Sequence, residues 1–224
     1  MSIAIIVAGG KGERTGKNIP KAFLEISGKP LLFYSIEKFQ SFSSLIIVLP
    51  KSHLEMWKDK LKLKYPDINM EIVPGGENRQ ASVWNGIERI KEDEEIVLIH
   101  DVARPLLSKN LIKRVLTGTE KYGACVPVIK CVDTLKKIKN KKIEKTLDRN
   151  EVFLVQTPQG FKAGIIKQAY EKAKKENFIG TDDSMLVERI GLPVYCIEGE
   201  RTNLKITYEE DIGIVESILN GVLK

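Results

Sequence analysis

The 224-residue sequence predicts an α/β fold, a mostly parallel sheet with helices on both sides. Two observations carry that prediction. Through the first half, short apolar runs of strand length alternate with longer segments whose apolar residues recur at helical spacing. Three of those runs also end in a loop bearing glycines or an acid, as expected where the carboxyl ends of parallel strands form a ligand crevice.

Taken in order, Ile3 to Val7 is a β-branched run of the kind found in a strand buried on both faces. After a glycine loop, Phe23 to Ile26 reads as extended and Ser27-Gly28-Lys29 as a turn. Pro30 to Phe42 reads as a helix opened by proline, burying Leu31, Leu32, Tyr34, Ile36 and Phe39. Leu45 to Leu49 is a second strand, Ser52 to Tyr65 a second helix and Met70 to Val73 a third strand. A helix then runs to about Lys91, followed by a strand at Ile96 to Ile99, a helix at Lys109 to Tyr122 and a strand at Ala124 to Ile129.

There the alternation breaks. From Val132 to Leu154, short β-rich segments surround the polar turn Lys139-Asn140-Lys141-Lys142, with Leu135, Ile138, Ile143 and Leu147 set among lysines. This reads as a projecting β-arm at about 132–154. Apolar side chains carried away from the core stay wet unless a partner covers them, which suggests a homodimer; the alternative is a hairpin folded back on its own sheet. Downstream come a helix from about Ala163 to Glu176, a strand at Val194 to Ile197 and a last helix over roughly Tyr208 to Gly221, with Thr181 placed to cap the helix through Arg189.

Length and composition narrow the function. The chain suits one domain with an excursion, 1–224 with the arm. No apolar run approaches the roughly 18 residues that span a bilayer, and the first residues lack a signal-peptide pattern, so a cytoplasmic protein is expected. Three cysteines, Cys125, Cys131 and Cys196, make neither a disulfide framework nor a zinc site and read as buried thiols. The net charge of +6 comes without a nucleic-acid module or a long basic tract, which favours a small polyanionic ligand over nucleic acid or membrane.

The loop after the first strand supplies such a site. Gly9, Gly10, Gly12 and Gly16 let the backbone turn N–H groups toward an anion, and Arg14, Lys17 and Lys21 add full charges. It is neither a Walker loop, whose required glycine and hydroxyl positions hold Lys11 and Asn18, nor a dinucleotide fingerprint, whose third glycine position holds Thr15. Pro74 to Ser82 should lie beside it, with Gly75 and Gly76 exposing backbone groups and Ser82 able to cap a helix or reach a base edge. Asp101, at the end of the fourth strand, is the candidate ligand for a phosphate-bound Mg²⁺. Arg104 either ties to that aspartate or binds phosphate with its planar fork, and His100 reads as a packed strand histidine.

The stretches VAGGKGERTGKNIPKAF, GGENRQASV, HDVARP, DTLK, DRN, QTPQGF, TDDSMLVE and NLKITYEED occur in one order. Together they closely resemble the 2-C-methyl-D-erythritol 4-phosphate cytidylyltransferase family of the non-mevalonate route to isoprenoids. The resemblance implies a Rossmann-like nucleotidyltransferase (nucleotide-diphospho-sugar transferase) fold. It also implies CTP and 2-C-methyl-D-erythritol 4-phosphate as substrates, Mg²⁺ or another divalent cation as cofactor, and a homodimer joined by the arm.

Carried over by position, Arg14 and Lys21 match the pair that stabilises the transition state, and Arg149 and Lys205 the pair that holds the acceptor phosphate. Ala8, Gly9, Gly10, Gly12, Gly75, Gly76, Ser82, Asp101 and Ala103 would contact CTP. Arg104, Thr134, Thr157 and Thr181 would fall near the acceptor. In the family the arm lends residues to the neighbouring subunit's site. Val7, Val102 and Thr15 depart from the family's usual alanines and methionine, and none of the three removes a charged group. The competing readings are a ribitol 5-phosphate cytidylyltransferase and, from another class, a non-catalytic nucleotide or nucleic-acid binder.

Overall fold

In the computed structural model, which describes residues 2–10, 19–93 and 95–223, the first strand β1 (Ser2–Val7) lies near the middle of an eight-stranded sheet. Its residues alternate between two cores. Ala4 and Ile6 pack on one side and Ile3 and Ile5 on the other, so the run is apolar throughout because both faces are buried. The hairpin β2 (Glu25–Ile26) and β3 (Lys29–Pro30) turns through Ser27 and Gly28, both at positive φ. It leads into α1 (Leu31–Phe39), whose buried face is the predicted one.

β4 (Ser44–Leu49), α2 (Leu54–Lys64) and β5 (Met70–Pro74) step outward from β1, and both strands are parallel to it. α3 (Arg79–Ile87) then crosses back, so that β6 (Ile96–Asp101) pairs with the opposite edge of β1. The direction of winding therefore reverses between β1 and β6, and a crevice opens at their carboxyl ends. Helices α1, α2, α4 (Lys109–Tyr122) and α7 (Glu210–Leu219) cover one face. α3, α5 (Ala163–Lys175) and α6 (Asp183–Arg189) cover the other.

The far side of the sheet departs from the sequence reading. β10 (Phe153–Val155) pairs with β7 (Ala124–Lys130), so Phe153 and Leu154 belong to the main sheet and not to the arm. β11 (Gln159–Lys162), not foreseen as a strand, runs antiparallel between β6 and β7. Its run is short and contains Gly160, where a Cβ would stand 2.0 Å from the Thr119 hydroxyl of α4. Close helix packing over that glycine, and not an apolar pattern, makes the strand possible. β12 (Tyr195–Glu198) adds a parallel partner to β7.

The arm proper is β8 (Lys136–Lys139) and β9 (Lys142–Thr146), a separate two-stranded sheet turning through Asn140 and Lys141, both at positive φ. Every residue of the two strands is exposed, Ile138 and Ile143 included, so the hairpin does not fold back on its own sheet. Of the three cysteines only Cys125 is buried, within β7; Cys131, just past the end of β7, is half-buried and Cys196, on the largely exposed β12, is exposed.

Candidate active site

A cavity of about 570 Å³ opens where β1 and β6 end. Its walls are Val7 to Gly10, the stretch Gly76 to Arg79 with Ser82, and Asp101 to Ala103; Lys21 and Lys205 complete it. Among these lining residues three cations face two carboxylates, Glu77 and Asp101. The N-terminus of α3 adds its partial positive charge to the same space.

The two glycine stretches meet as the sequence suggests. A Cβ on Gly9 would lie 3.4 Å from the Gly75 Cα, and one on Gly75 would lie 3.2 Å from the Gly9 Cα, so both positions allow the loops to touch. Asn78 caps α3 by accepting from the Ala81 N–H. Ser82, buried beneath, donates to the Asn78 carbonyl and accepts from the Gly76 N–H. Its hydroxyl thus shapes the loop that lines the cavity, and Ala8 is buried against the same corner.

Asp101 is the electrostatic centre of the floor and is almost fully buried. Its Oδ1 accepts from Arg79 Nε at 3.0 Å and its Oδ2 from Lys205 Nζ at 2.6 Å. Burial alone would raise its pKa, but Arg79 and then Lys205 outweigh that and hold the carboxyl well below the usual range. Arg79 also donates through Nη1 and Nη2 to the two oxygens of Asp183, at 3.0 and 2.8 Å. Asp183 is fully buried, accepts from the Tyr170 hydroxyl and is held by Gln159 through its own N–H. Burial works against the charged guanidinium, yet Asp183 and Asp101 together raise the Arg79 pKa above its ordinary value.

Neither Arg79, Asp183 nor Tyr170 was singled out from the sequence. The available signal was local: Arg79 is the first residue after the asparagine cap of a helix that starts at a ligand loop.

Lys21 donates to the Ile206 carbonyl at 2.7 Å, which brings the end of the first loop beside the segment that carries Lys205. Ile206 in turn donates its N–H to the Ala103 carbonyl. That segment is braced by Asn203, whose side chain donates to the Thr157 carbonyl, and by Gln156, which donates to the Glu200 carbonyl. His100 is fully buried between Thr157 and the Arg104 carbonyl, and burial, the largest cause, lowers its pKa to about 3. A packed strand histidine is what the sequence suggests, and burial keeps it neutral.

The structure does not gather every predicted site residue into this cavity. Gly12 and Arg14, with Gly16 and Lys17, lie outside the described residues. Arg104 donates to the Asn203 and Val155 carbonyls, so it is a structural tie, though not to Asp101. Thr157 is buried, and its hydroxyl accepts from the Asp101 N–H. Thr181 is exposed and does not cap α6, because Asp182 does so by accepting from the Met185 N–H. Thr134 is exposed at the base of the arm, and Arg149 donates to the Val132 carbonyl there. The cavity walls of the single chain include neither of them.

For a divalent cation, Asp101 would supply the hard oxygen, through the lone pairs not already engaged by Arg79 and Lys205. No group of three or more His, Cys, Asp or Glu that could hold a metal exists among the described residues. The donor set fits an ion bound chiefly through substrate phosphates and water, a common mode for Mg²⁺.

A doubly covered, mostly parallel sheet with a cation-walled crevice at its switch point suits a polyanionic ligand, and the solved structures it superposes on are nucleotidyltransferases. The family model described as "IspD: 2-C-methyl-D-erythritol 4-phosphate cytidylyltransferase" matches residues 2–221. The chain belongs to that family. It is 41% identical over 224 residues to 2-C-methyl-D-erythritol 4-phosphate cytidylyltransferase of Dictyoglomus thermophilum, covering 97% of this chain and 96% of the relative. The Clostridium botulinum type A enzyme of the same name is 43% identical over 222 residues, with 96% of each covered. The crystal structure of 4-diphosphocytidyl-2C-methyl-D-erythritol synthase from Anaerococcus prevotii superposes with a TM-score of 0.87 at 30% identity, covering 98% of this chain and 96% of that one. The Thermus thermophilus enzyme gives 0.82 at 32% identity, covering 98% and 100%.

Proposed function

We propose that this chain transfers CMP from CTP to 2-C-methyl-D-erythritol 4-phosphate, giving 4-diphosphocytidyl-2-C-methyl-D-erythritol and pyrophosphate. The observation that carries the reading is the crevice between β1 and β6, lined by Lys21, Lys205 and Asp101 in a chain of this family. An acceptor phosphate oxygen forms a bond to the α-phosphorus of CTP, and the bond from that phosphorus to the bridging oxygen breaks. The electron pair leaves with pyrophosphate. The acceptor is already ionised at neutral pH, so no enzyme nucleophile is needed, and catalysis consists of aligning two polyanions and stabilising developing charge.

In this scheme Lys21, with Arg14, neutralises the triphosphate, and Lys205 holds the acceptor phosphate. The loop Gly75 to Ser82 reads the base, while Ala8 to Gly10 and Ala103 frame the nucleotide. Asp101 would hold a bound Mg²⁺ or similar ion, which supplies further charge neutralisation between phosphates. Arg149 and Thr134 reach the acceptor from the arm of a neighbouring copy, and Arg104, Thr157 and Thr181 shape that side of the site. Pairing is supported by the exposed isoleucines of the arm and by Arg149 not lining its own chain's cavity. The enzyme is assigned to the cytoplasm, in keeping with three cysteines that stand as thiols.

Pyrophosphate release from CTP, measured in parallel with 2-C-methyl-D-erythritol 4-phosphate and ribitol 5-phosphate, tests the reading. Turnover with the erythritol phosphate is expected. Turnover with ribitol 5-phosphate alone would reverse the assignment, and salt-sensitive nucleic-acid binding without turnover would favour a non-catalytic binder.

A further inference from the structure

Arg79 lines the cavity, but its side chain has been assigned to neither the triphosphate nor the acceptor phosphate. Its guanidinium is shared between two carboxylates that face different environments. The Nε edge meets Asp101 at the cavity floor, and both Nη atoms meet Asp183 in the interior. Asp183 is itself fixed by the Tyr170 hydroxyl and by Gln159, and it opens α6, so the inner end of the chain is anchored in the second core. At the outer end, Lys205 has a flexible four-carbon stem and a side chain 41% exposed, and Asp101 Oδ2 is the carboxylate that meets its ammonium.

Resting on the cytidylyl-transfer reading, the geometry points to Arg79 as a positioning residue that fixes the Asp101 carboxylate and, through it, aims Lys205 at the acceptor phosphate. An arginine is required for this because its planar fork serves two carboxylates at once. A lysine is a single point charge and can satisfy only one of them well. Three of the five guanidinium N–H groups are already committed to Asp101 and Asp183, which suits a structural strut better than a group that grips substrate.

The test begins with wild-type enzyme turning over CTP and the erythritol phosphate, which checks the underlying reading by itself. Then kcat, both KM values and Tm are compared for Arg79→Gln, Arg79→Lys and the double variant Arg79→Gln with Asp183→Asn. Arg79→Gln alone leaves a buried carboxylate unpaired and lowers Tm, whereas the double variant removes both charges and recovers it. The expected result is a kcat about a hundredfold below wild type in Arg79→Gln, still depressed in the double variant despite the recovered Tm. The KM for the acceptor should rise more than the KM for CTP. A double variant whose kcat returns together with its Tm would show that Arg79 only holds the fold and would overturn the inference. Should the double variant not fold, Arg79→Lys decides: partial activity with a raised acceptor KM is expected, and wild-type kinetics would overturn the inference.

Discussion

The cavity floor and the arm are both rich in charge, but the charges are held in opposite ways. At the floor, Arg79, Asp101, Lys205 and Asp183 are cross-tied, with both carboxylates buried. On the arm, Lys137 pairs with Glu144 with side chains 60% and 33% exposed, and both strands lie in solvent. Buried pairs of this kind are costly to break singly, whereas exposed pairs contribute little. Charge at the floor is therefore fixed in geometry, while the arm carries exposed apolar residues between its lysines.

The largest effect is expected at the floor's mouth. Lys21→Ala should lower kcat about a hundredfold or more, since one oriented charge contact can contribute roughly 3 kcal/mol in the transition state. Unchanged turnover in a steady-state assay would remove Lys21 from the chemistry. On the arm, the proposed pairing predicts that Ile138→Asp combined with Ile143→Asp shifts the protein to monomers in sedimentation velocity and lowers kcat by about tenfold or more, because a site completed by a neighbour would lose one side. Tm measured at low protein concentration should change little, since neither side chain packs in the core; a dimer that survives the change would detach the arm from assembly.

A smaller effect sits beneath the floor. His100 is held neutral with its pKa lowered to about 3, while in the unfolded chain it binds a proton below about 6.5. The unfolded state thus carries the extra proton in that interval, and stability falls as the pH drops through it. The slope attributable to His100 approaches ~1.4 kcal/mol per pH unit below about pH 6. Asp101, whose carboxyl is held below its usual range, adds loss of the same sign once the pH falls below about 4. Urea unfolding of His100→Gln at pH 7, 6 and 5 should show a flatter dependence than wild type, and parallel curves would count against the assignment. The smallest effect is again on the arm: Glu144→Gln should change unfolding free energy by less than about 1 kcal/mol, and a larger loss would mean that the hairpin's surface charges do more than keep it soluble.

The sequence makes the strands around β1 legible because each is a continuous apolar run, and it makes the crevice legible because glycines and Asp101 stand where those runs end. β11 escapes a reading by pattern, since Gln159-Gly160-Phe161-Lys162 has neither β-branched residues nor alternation and is made a strand by α4 closing over Gly160. The boundary between arm and sheet escapes it too: Phe153 and Leu154 look like more of the same apolar arm until β7 is seen to pair with them. Arg79 and Asp183 are 104 positions apart, and no local pattern announces that they meet. Such a pair is visible only once α3, α5 and α6 are gathered on one face of the sheet.

Both regions serve one claim, that the protein supplies positioned cations and no nucleophile of its own. CTP carrying a single stereoisomer of an α-thiophosphate tests it most directly, through the configuration of the diphosphocytidyl product. A single in-line displacement predicts inversion at the α-phosphorus. Retention would require a covalent intermediate on the enzyme and would contradict the account.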